Sequence, residues 1–445
     1  MLSTASHCGR AFAAGCQTRP ISMSMARAKE SYKLLVVGGG AGGSAMANRF
    51  AAKLGKGQVA LMDKSESHYY QPQWTLVGAG MLAAQDTGRR MEDVLHKDVQ
   101  RISEDAAQFE PAKNLVRTQG GKEVEYEFLV VATGIKLDYA KIKGLPEAFE
   151  QPEVCSNYDF RYVQKTYPAL QRVQKGNALF TFPLGPIKCA GAPQKAAYLA
   201  DDFFRRSGKR DQIQMYYNTA LGILFTSAYY AVALKEVMRK KGIVVNYRHN
   251  LVEVKADAKE AIFDVLDENN KVLKQETFPY SFLHVAPSCL PQDALRLHAG
   301  DLVDATGFVS VVKESMQHTL YPNVFAIGDW ANSPNAKPAA AVASQSGIVY
   351  RNLQAVMNGV PNLPAKYVGY TSCPLVTSYS KCIMAEYDFA GEPLETFPFD
   401  QRKESRLMFI AKRYLMHHLY WHGLMKGLWA GPKMLRKILH LGFSK

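Results

Sequence analysis

The sequence predicts an α/β fold in which two doubly wound units follow one another and amphipathic helices close the chain. Three observations carry this. "YKLLVVGGGAGGSAMANRFAAKLG" is a buried-strand pattern, Leu34 to Val37, that runs into glycines and a small-residue helix. "QVALMDKSES" then supplies a strand ending at Asp63, and "EYEFLVVATG" another ending at Gly134. Strand, glycine loop, helix, strand, acid is a βαβ order, and from about Gly176 the pattern begins again.

A chain of 445 residues exceeds one ordinary core, so two or three domains are expected. Its 47% hydrophobic and 21% charged residues place it with globular proteins and exclude a disordered one. The net charge of +14 admits nucleic acid, an anionic membrane or a targeting segment as its cause. Its distribution decides among these. Residues 1–29 hold Arg10, Arg19, Arg27 and Lys29, no acid, and much Ser, Ala and Thr, the composition of a mitochondrial presequence. After Glu404 every charged side chain is basic. Much of the excess therefore sits in two tails, which argues against nucleic-acid binding.

The second unit reads as the strand "NALFTF", the loop "PLGPIKCAG", a helix with Pro193 in its first turn, and the strand "DQIQMYY". A helix from about Ser227 to Lys241 and the strand "GIVVNYR" follow, and 250–287 reads as a meander of short strands. "GDLVDATGFVSV" and "YPNVFAIGDWAN" then resemble a second pass through the first unit. The expected divisions are a presequence at 1–29, a discontinuous first unit at 30–155 and 300–360, a second unit at 156–299, and a C-terminal region at 361–445. In that last region Leu415 and Leu419, then Leu435 and Leu439, repeat at i, i+4 between cations. No window is apolar enough to span a bilayer. The pattern reads as paired amphipathic helices lying in a membrane interface, with Tyr420, Trp421 and Trp429 at the headgroups. Helices packed on the body or in a dimer are the alternative.

Gly38, Gly40 and Gly43 form GxGxxG where a strand opens into a helix. The first permits a tight turn, the second a close pyrophosphate, the third close helix–strand packing. The helix start offers free N–H groups to the anion, and Asp63, 20 residues past Gly43, suits a ribose hydroxyl. "VVATG" and "VFAIGDWA" sharpen dinucleotide into flavin, because in two-dinucleotide-binding flavoproteins such strand ends flank FAD. The expected FAD contacts are Gly38, Gly40, Ala41, Gly42, Gly43, Asp63, Lys64, Gln71, Ala132, Thr133, Gly134, Gly328, Asp329, Lys337, Ala339 and Ala340. Trp330, directly after Asp329, is bulky for its position. A second glycine loop for NAD(P)H is missing. "PLGPIKCAG" has only Gly185 and Gly191, and its prolines lack the N–H donors that such a loop turns on phosphate.

"FTFPLGPIKCAGAPQK", "YTSCPLV", "AAAVASQSG" and "EPLETFPFDQ" resemble the mitochondrial sulfide:quinone oxidoreductase family, in the same order along nearly the whole mature chain. The resemblance implies two Rossmann-like domains of the FAD/NAD(P)-binding kind. It also implies hydrogen sulfide and ubiquinone as substrates, monotopic association with the inner mitochondrial membrane, and a small sulfur acceptor such as glutathione or sulfite. By the same resemblance Cys189 and Cys373 are the redox cysteines, bridged directly or through an extra sulfur, and Lys195 and Glu147 are polar residues near the sulfide site. Hydrosulfide would attack at Cys373, leave a persulfide there and free Cys189, which donates to the flavin. The residues around Cys189 agree: it precedes a helix start and neighbours Lys188 and Lys195, all of which favour a thiolate. Cys155, Cys289 and Cys382 read as structural, and no cysteine spacing suggests a metal site. An NADH:quinone oxidoreductase of the same fold, or a flavoprotein of the apoptosis-inducing-factor kind, is the alternative. The missing glycine loop opposes the first, and the tail location of the charge opposes the second.

Overall fold

A computed structural model describes residues 30–443, so the presequence expectation lies outside the described residues. The strand Glu30–Val37 is buried along its second half and pairs in parallel with Val59–Met62 on one side and Glu123–Val131 on the other. Buried on both faces, such strands carry unbroken apolar runs, as "LLVV" and "VALM" do. The sheet order is Val99–Ile102, Val59–Met62, Glu30–Val37, Glu123–Val131, Leu115–Thr118, Ala106–Glu110, and Val324–Ala326 returns late in the chain to pair with Glu123–Val131. The helix Ala41–Leu54 turns Met46 and Phe50 into the same core, each contributing about 2 kcal/mol by burial.

The second sheet is parallel throughout: Val154–Cys155, Phe282–His284, Gly176–Phe182, Ile213–Thr219, Val244–Tyr247. Two expectations shift here. Val154–Cys155, assigned to the first unit, is an edge strand of the second. "FLH" at 282–284 leaves the meander and enters the parallel sheet, because all three side chains are buried. Three antiparallel strands remain in the meander, His249–Lys255, Glu260–Leu266 and Val272–Pro279. The helix Ala192–Arg206 packs on the second sheet, with Pro193 in its first turn.

The C-terminal region adds the antiparallel pair Thr371–Val376 and Cys382–Tyr387, then helical turns from Arg406 to Leu424 and the helix Lys433–Leu439. The stretches Ala411–Leu415 and Leu419–Leu424 are wound as π-helix. Such widened turns shift the side-chain register, so an i, i+4 count does not say which face is buried. The aromatic expectation is corrected accordingly. Tyr420 and Trp421 are buried with Tyr70, Leu424 and Met425 instead of facing a headgroup layer. Exposed apolar side chains of this region include Leu407, Ile410, Tyr414 and Leu415, with Leu428, Met434 and Ile438 beyond them. Among the described residues no helix is long and apolar enough to cross a membrane.

Candidate active site

One cavity of about 1130 Å³ runs from the first glycine loop to the C-terminal helices. It exceeds the usual volume of a single small-molecule pocket, roughly 300–1,000 Å³. At one end are Gly38, Gly40, Ala41, Gly42, Asp63, Lys64 and Gln71; Ala132, Thr133 and Gly134 follow, then Gly328, Asp329, Lys337, Ala339 and Ala340. Every expected FAD contact except Gly43 lies on this lining. Gly43 stands behind it, where a Cβ would fall 1.7 Å from Gly38 O.

The lining suits an extended dinucleotide. Gly40 caps the helix Ala41–Leu54, and a Cβ there would meet no protein atom within 4 Å, so the space before the helix start is open. Asp63 Oδ2 accepts from Gly39 N at 2.5 Å, which sets the carboxylate beside the loop. Thr133 Oγ1 is buried on this wall and has no protein partner. Burial pushes the Asp329 carboxyl up to about 6 against the pull of Lys188 and Lys337, and burial lowers Lys337 to about 8. Trp330 leaves this wall free. Its ring stacks on Phe308 at 4.2 Å and its N–H donates to Gly307 O, inside the core.

The cavity's next wall carries sulfur. Cys189 and Cys373, 184 positions apart in the sequence, both line it with Lys195. Lys195 Nζ lies 3.8 Å from each Sγ. Cys189 adopts φ 54°, left-handed and rare for a residue with a Cβ. Its carbonyl accepts from Ala192 N at 2.9 Å and Tyr158 OH at 3.2 Å, which pins the turn ahead of the helix. Gly191 makes room for Cys373, since a Cβ there would sit 2.4 Å from its Sγ.

The two sulfurs are unequal. A hydrogen bond from the Cys373 thiol holds Cys189 well below the ordinary cysteine value; burial opposes this, and Lys195 and Lys412 assist. The same hydrogen bond, with burial, pushes Cys373 well up. Burial works against the Lys195 ammonium, but the two sulfurs outweigh it and raise its pKa. The arrangement lowers the thiol pKa at Cys189, raises it at Cys373, and sets a buried cation facing both.

Glu147 is not brought here. Leu145 and Ala148 of its short helix pack into the core between the second sheet and the meander, and Glu147 is turned out to solvent, off the cavity lining. Sequence reasoning missed Lys412, which lines the cavity, is buried and donates to Pro72 O at 3.0 Å. Burial first, then repulsion from Lys195, lowers it to about 8. Its sequence neighbourhood, a lysine beside Arg413 among apolar residues, does not set it apart from the other cations of the tail. His68 was also missed. Its ring bonds Gly39 O through Nδ1 and Tyr420 OH through Nε2, tying the C-terminal helix to the glycine loop.

Burial holds His68 down to about 4 from 6.5, and His284 to about 3. Between those values and 6.5 the unfolded chain binds more protons than the folded one, so stability rises with pH over this window. Stability should be intact above pH 6.5 and fall by a few kcal/mol as pH drops toward 4. Urea midpoints measured across this range in the unaltered protein and in His68→Gln check it, the variant being expected to show a shallower slope.

The family model for pyridine nucleotide-disulphide oxidoreductases matches residues 32–174 and 212–347. A mitochondrial sulfide:quinone oxidoreductase of Mus musculus is 48% identical over 94% of this chain and 91% of its own length. One from Dictyostelium discoideum is 40% identical over 92% and 89%. The crystal structure of the sulfide:quinone oxidoreductase from Aquifex aeolicus superposes with a TM-score of 0.75 at 18% identity, covering 93% of this chain and 95% of that one. At that identity the likeness concerns the fold.

Proposed function

The chain belongs to the mitochondrial sulfide:quinone oxidoreductases, within the pyridine nucleotide-disulphide oxidoreductase family, and from that premise we propose how its residues divide the work. Sulfide is oxidised and a quinone reduced, with FAD as the cofactor between them. The observation that carries the assignment of roles is the meeting of Cys189, Cys373 and Lys195 on one wall of the cavity.

In the oxidised protein Cys189 and Cys373 form a bridge. Hydrosulfide attacks the Cys373 sulfur, a new S–S bond forms there, the bridge breaks, and Cys189 leaves as a thiolate. Lys195 and the helix start behind Cys189 stabilise that leaving thiolate. Cys373 then carries the persulfide, whose outer sulfur passes to a small acceptor such as glutathione or sulfite. Gly38, Gly40 and Asp63 would hold the adenosine and pyrophosphate end of FAD, and Asp329, Lys337 and the start of the helix Ala339–Met357 would hold the other. Bound there, FAD would supply two-electron redox chemistry between the cysteine pair and the quinone.

The quinone, which we take as ubiquinone, enters an arm of the cavity lined by Phe397, Leu415, Leu419, Leu424, Trp429 and Leu435. The exposed aliphatic side chains beside this arm, among lysines and arginines, support a monotopic seat on the inner mitochondrial membrane. An anaerobic absorbance titration tests the whole reading. Sulfide is expected to produce a long-wavelength thiolate–flavin band and then bleach the flavin, and a quinone to restore it. Bleaching by NADH without sulfide would defeat the assignment.

A further inference from the structure

The helix Lys433–Leu439 has seven residues, too few to hold its shape alone in water. A helix this short ordinarily docks by an apolar stripe. This one is reversed: Met434 and Ile438 are 78% and 64% exposed, and its one buried side chain is Arg436, 3% exposed. An arginine taken out of water needs compensation. Here Nη1 donates to Leu394 O at 3.3 Å, and the guanidinium lies over the Tyr370 ring, 5.5 Å from its centre. Tyr370 OH donates to Glu386 at 2.5 Å. That buried carboxylate also accepts from Thr396 N, Thr396 Oγ1 and Gln401 Nε2, so the acceptor of the Tyr370 hydroxyl is fixed on several sides.

The same segment forms a wall of the cavity, through Gly431, Pro432 and Leu435. Just before the helix the chain turns at Gly431, φ 85°, closely enough that a Cβ would sit 3.1 Å from Ser344 Cα. The wall thus has a tight turn at its start and a guanidinium on its inner face, with no other buried side chain on the helix.

We infer that Arg436 is the positioning residue of this wall: it holds the last helix across the apolar arm and thereby sets how a quinone enters from the lipid side. The inference rests on the reading of that arm as the quinone site. A planar guanidinium suits the task because it stacks on a ring and donates at its edge together, which an ammonium does not.

The test uses the full-length, FAD-loaded protein and its Arg436→Met and Arg436→Lys variants. Backbone hydrogen exchange across 431–441 is expected to quicken about tenfold in Arg436→Met, with the two sheets unchanged. KM for a short-chain ubiquinone analogue is expected to rise about fivefold or more, with kcat within about twofold. The lysine variant should recover part of both effects. Unchanged exchange and unchanged KM would overturn the inference, as would a loosening spread over the whole protein. Should the methionine variant fail to fold, Arg436→Lys decides on the same two readouts. Flavin bleaching by sulfide in the unaltered protein reports the proposed function separately. If that fails, the exchange measurement still decides the role of Arg436.

Discussion

Cys189→Ser is expected to lower sulfide-dependent quinone reduction by about 10³-fold or more, with flavin content and melting temperature kept. A serine oxygen forms no exchangeable bond to the Cys373 sulfur, and its hydroxyl does not ionise near neutral pH as a thiol facing Lys195 does. The change is nearly isosteric and stays polar. Cys189 already sits at φ 54°, and serine bears that backbone no worse, so lost activity would not report lost folding. Steady-state quinone reduction, with the sulfide-induced long-wavelength band as second readout, checks the prediction. Full turnover in the variant would remove the cysteine mechanism.

Gly43→Ala is expected to be the most damaging single methyl group in the FAD-binding unit. The added Cβ would lie 1.7 Å from Gly38 O and 2.9 Å from Gly38 C, both backbone atoms of the turn that faces the dinucleotide. Neither can move without taking the strand Glu30–Val37 or the helix Ala41–Leu54 along. A loss of about 3 kcal/mol or more is expected, with flavin-free, poorly folded protein. Gly40→Ala makes the contrast. Its Cβ meets no protein atom within 4 Å, so that variant should fold normally and lose flavin alone, the space being the one assigned to the cofactor. Melting temperature and the ratio of flavin to protein absorbance separate the two outcomes.

Much of the fold was legible because its signals are local. A strand, a glycine turn and a helix start occupy about twenty residues, and "LLVVGGGAGG" specifies all three by burial, φ freedom and small size. Cys189 was legible for a similar reason, since its helix start and Lys195 lie within six positions of it. Other features misled. Glu147 sits on a four-residue helix whose orientation depends on how Leu145 and Ala148 pack, and nothing near it in the chain records that. Tyr420 and Trp421 looked like interfacial aromatics, but π-helical turns rotate them onto Tyr70 and His68. "FLH" could not be told from the meander before it, because a stretch of three residues carries no usable period.

The amino-acid sequence by itself determined the two α/β units, the dinucleotide loop, the lack of a second glycine loop of that pattern, and a cysteine set just ahead of a helix start beside two lysines. These are consequences of backbone conformation and of charges within a turn or two. The resemblance implied that Cys189 and Cys373 pair near Lys195; the tertiary structure supplied the geometry, with Gly191 making room for Cys373 and Lys195 facing both sulfurs, and it alone decided that Lys412 joins them and that Arg436 turns inward. Each of these joins residues from distant parts of the chain. Such contacts are set by how layers pack and exclude water, and no local pattern of residue types encodes them.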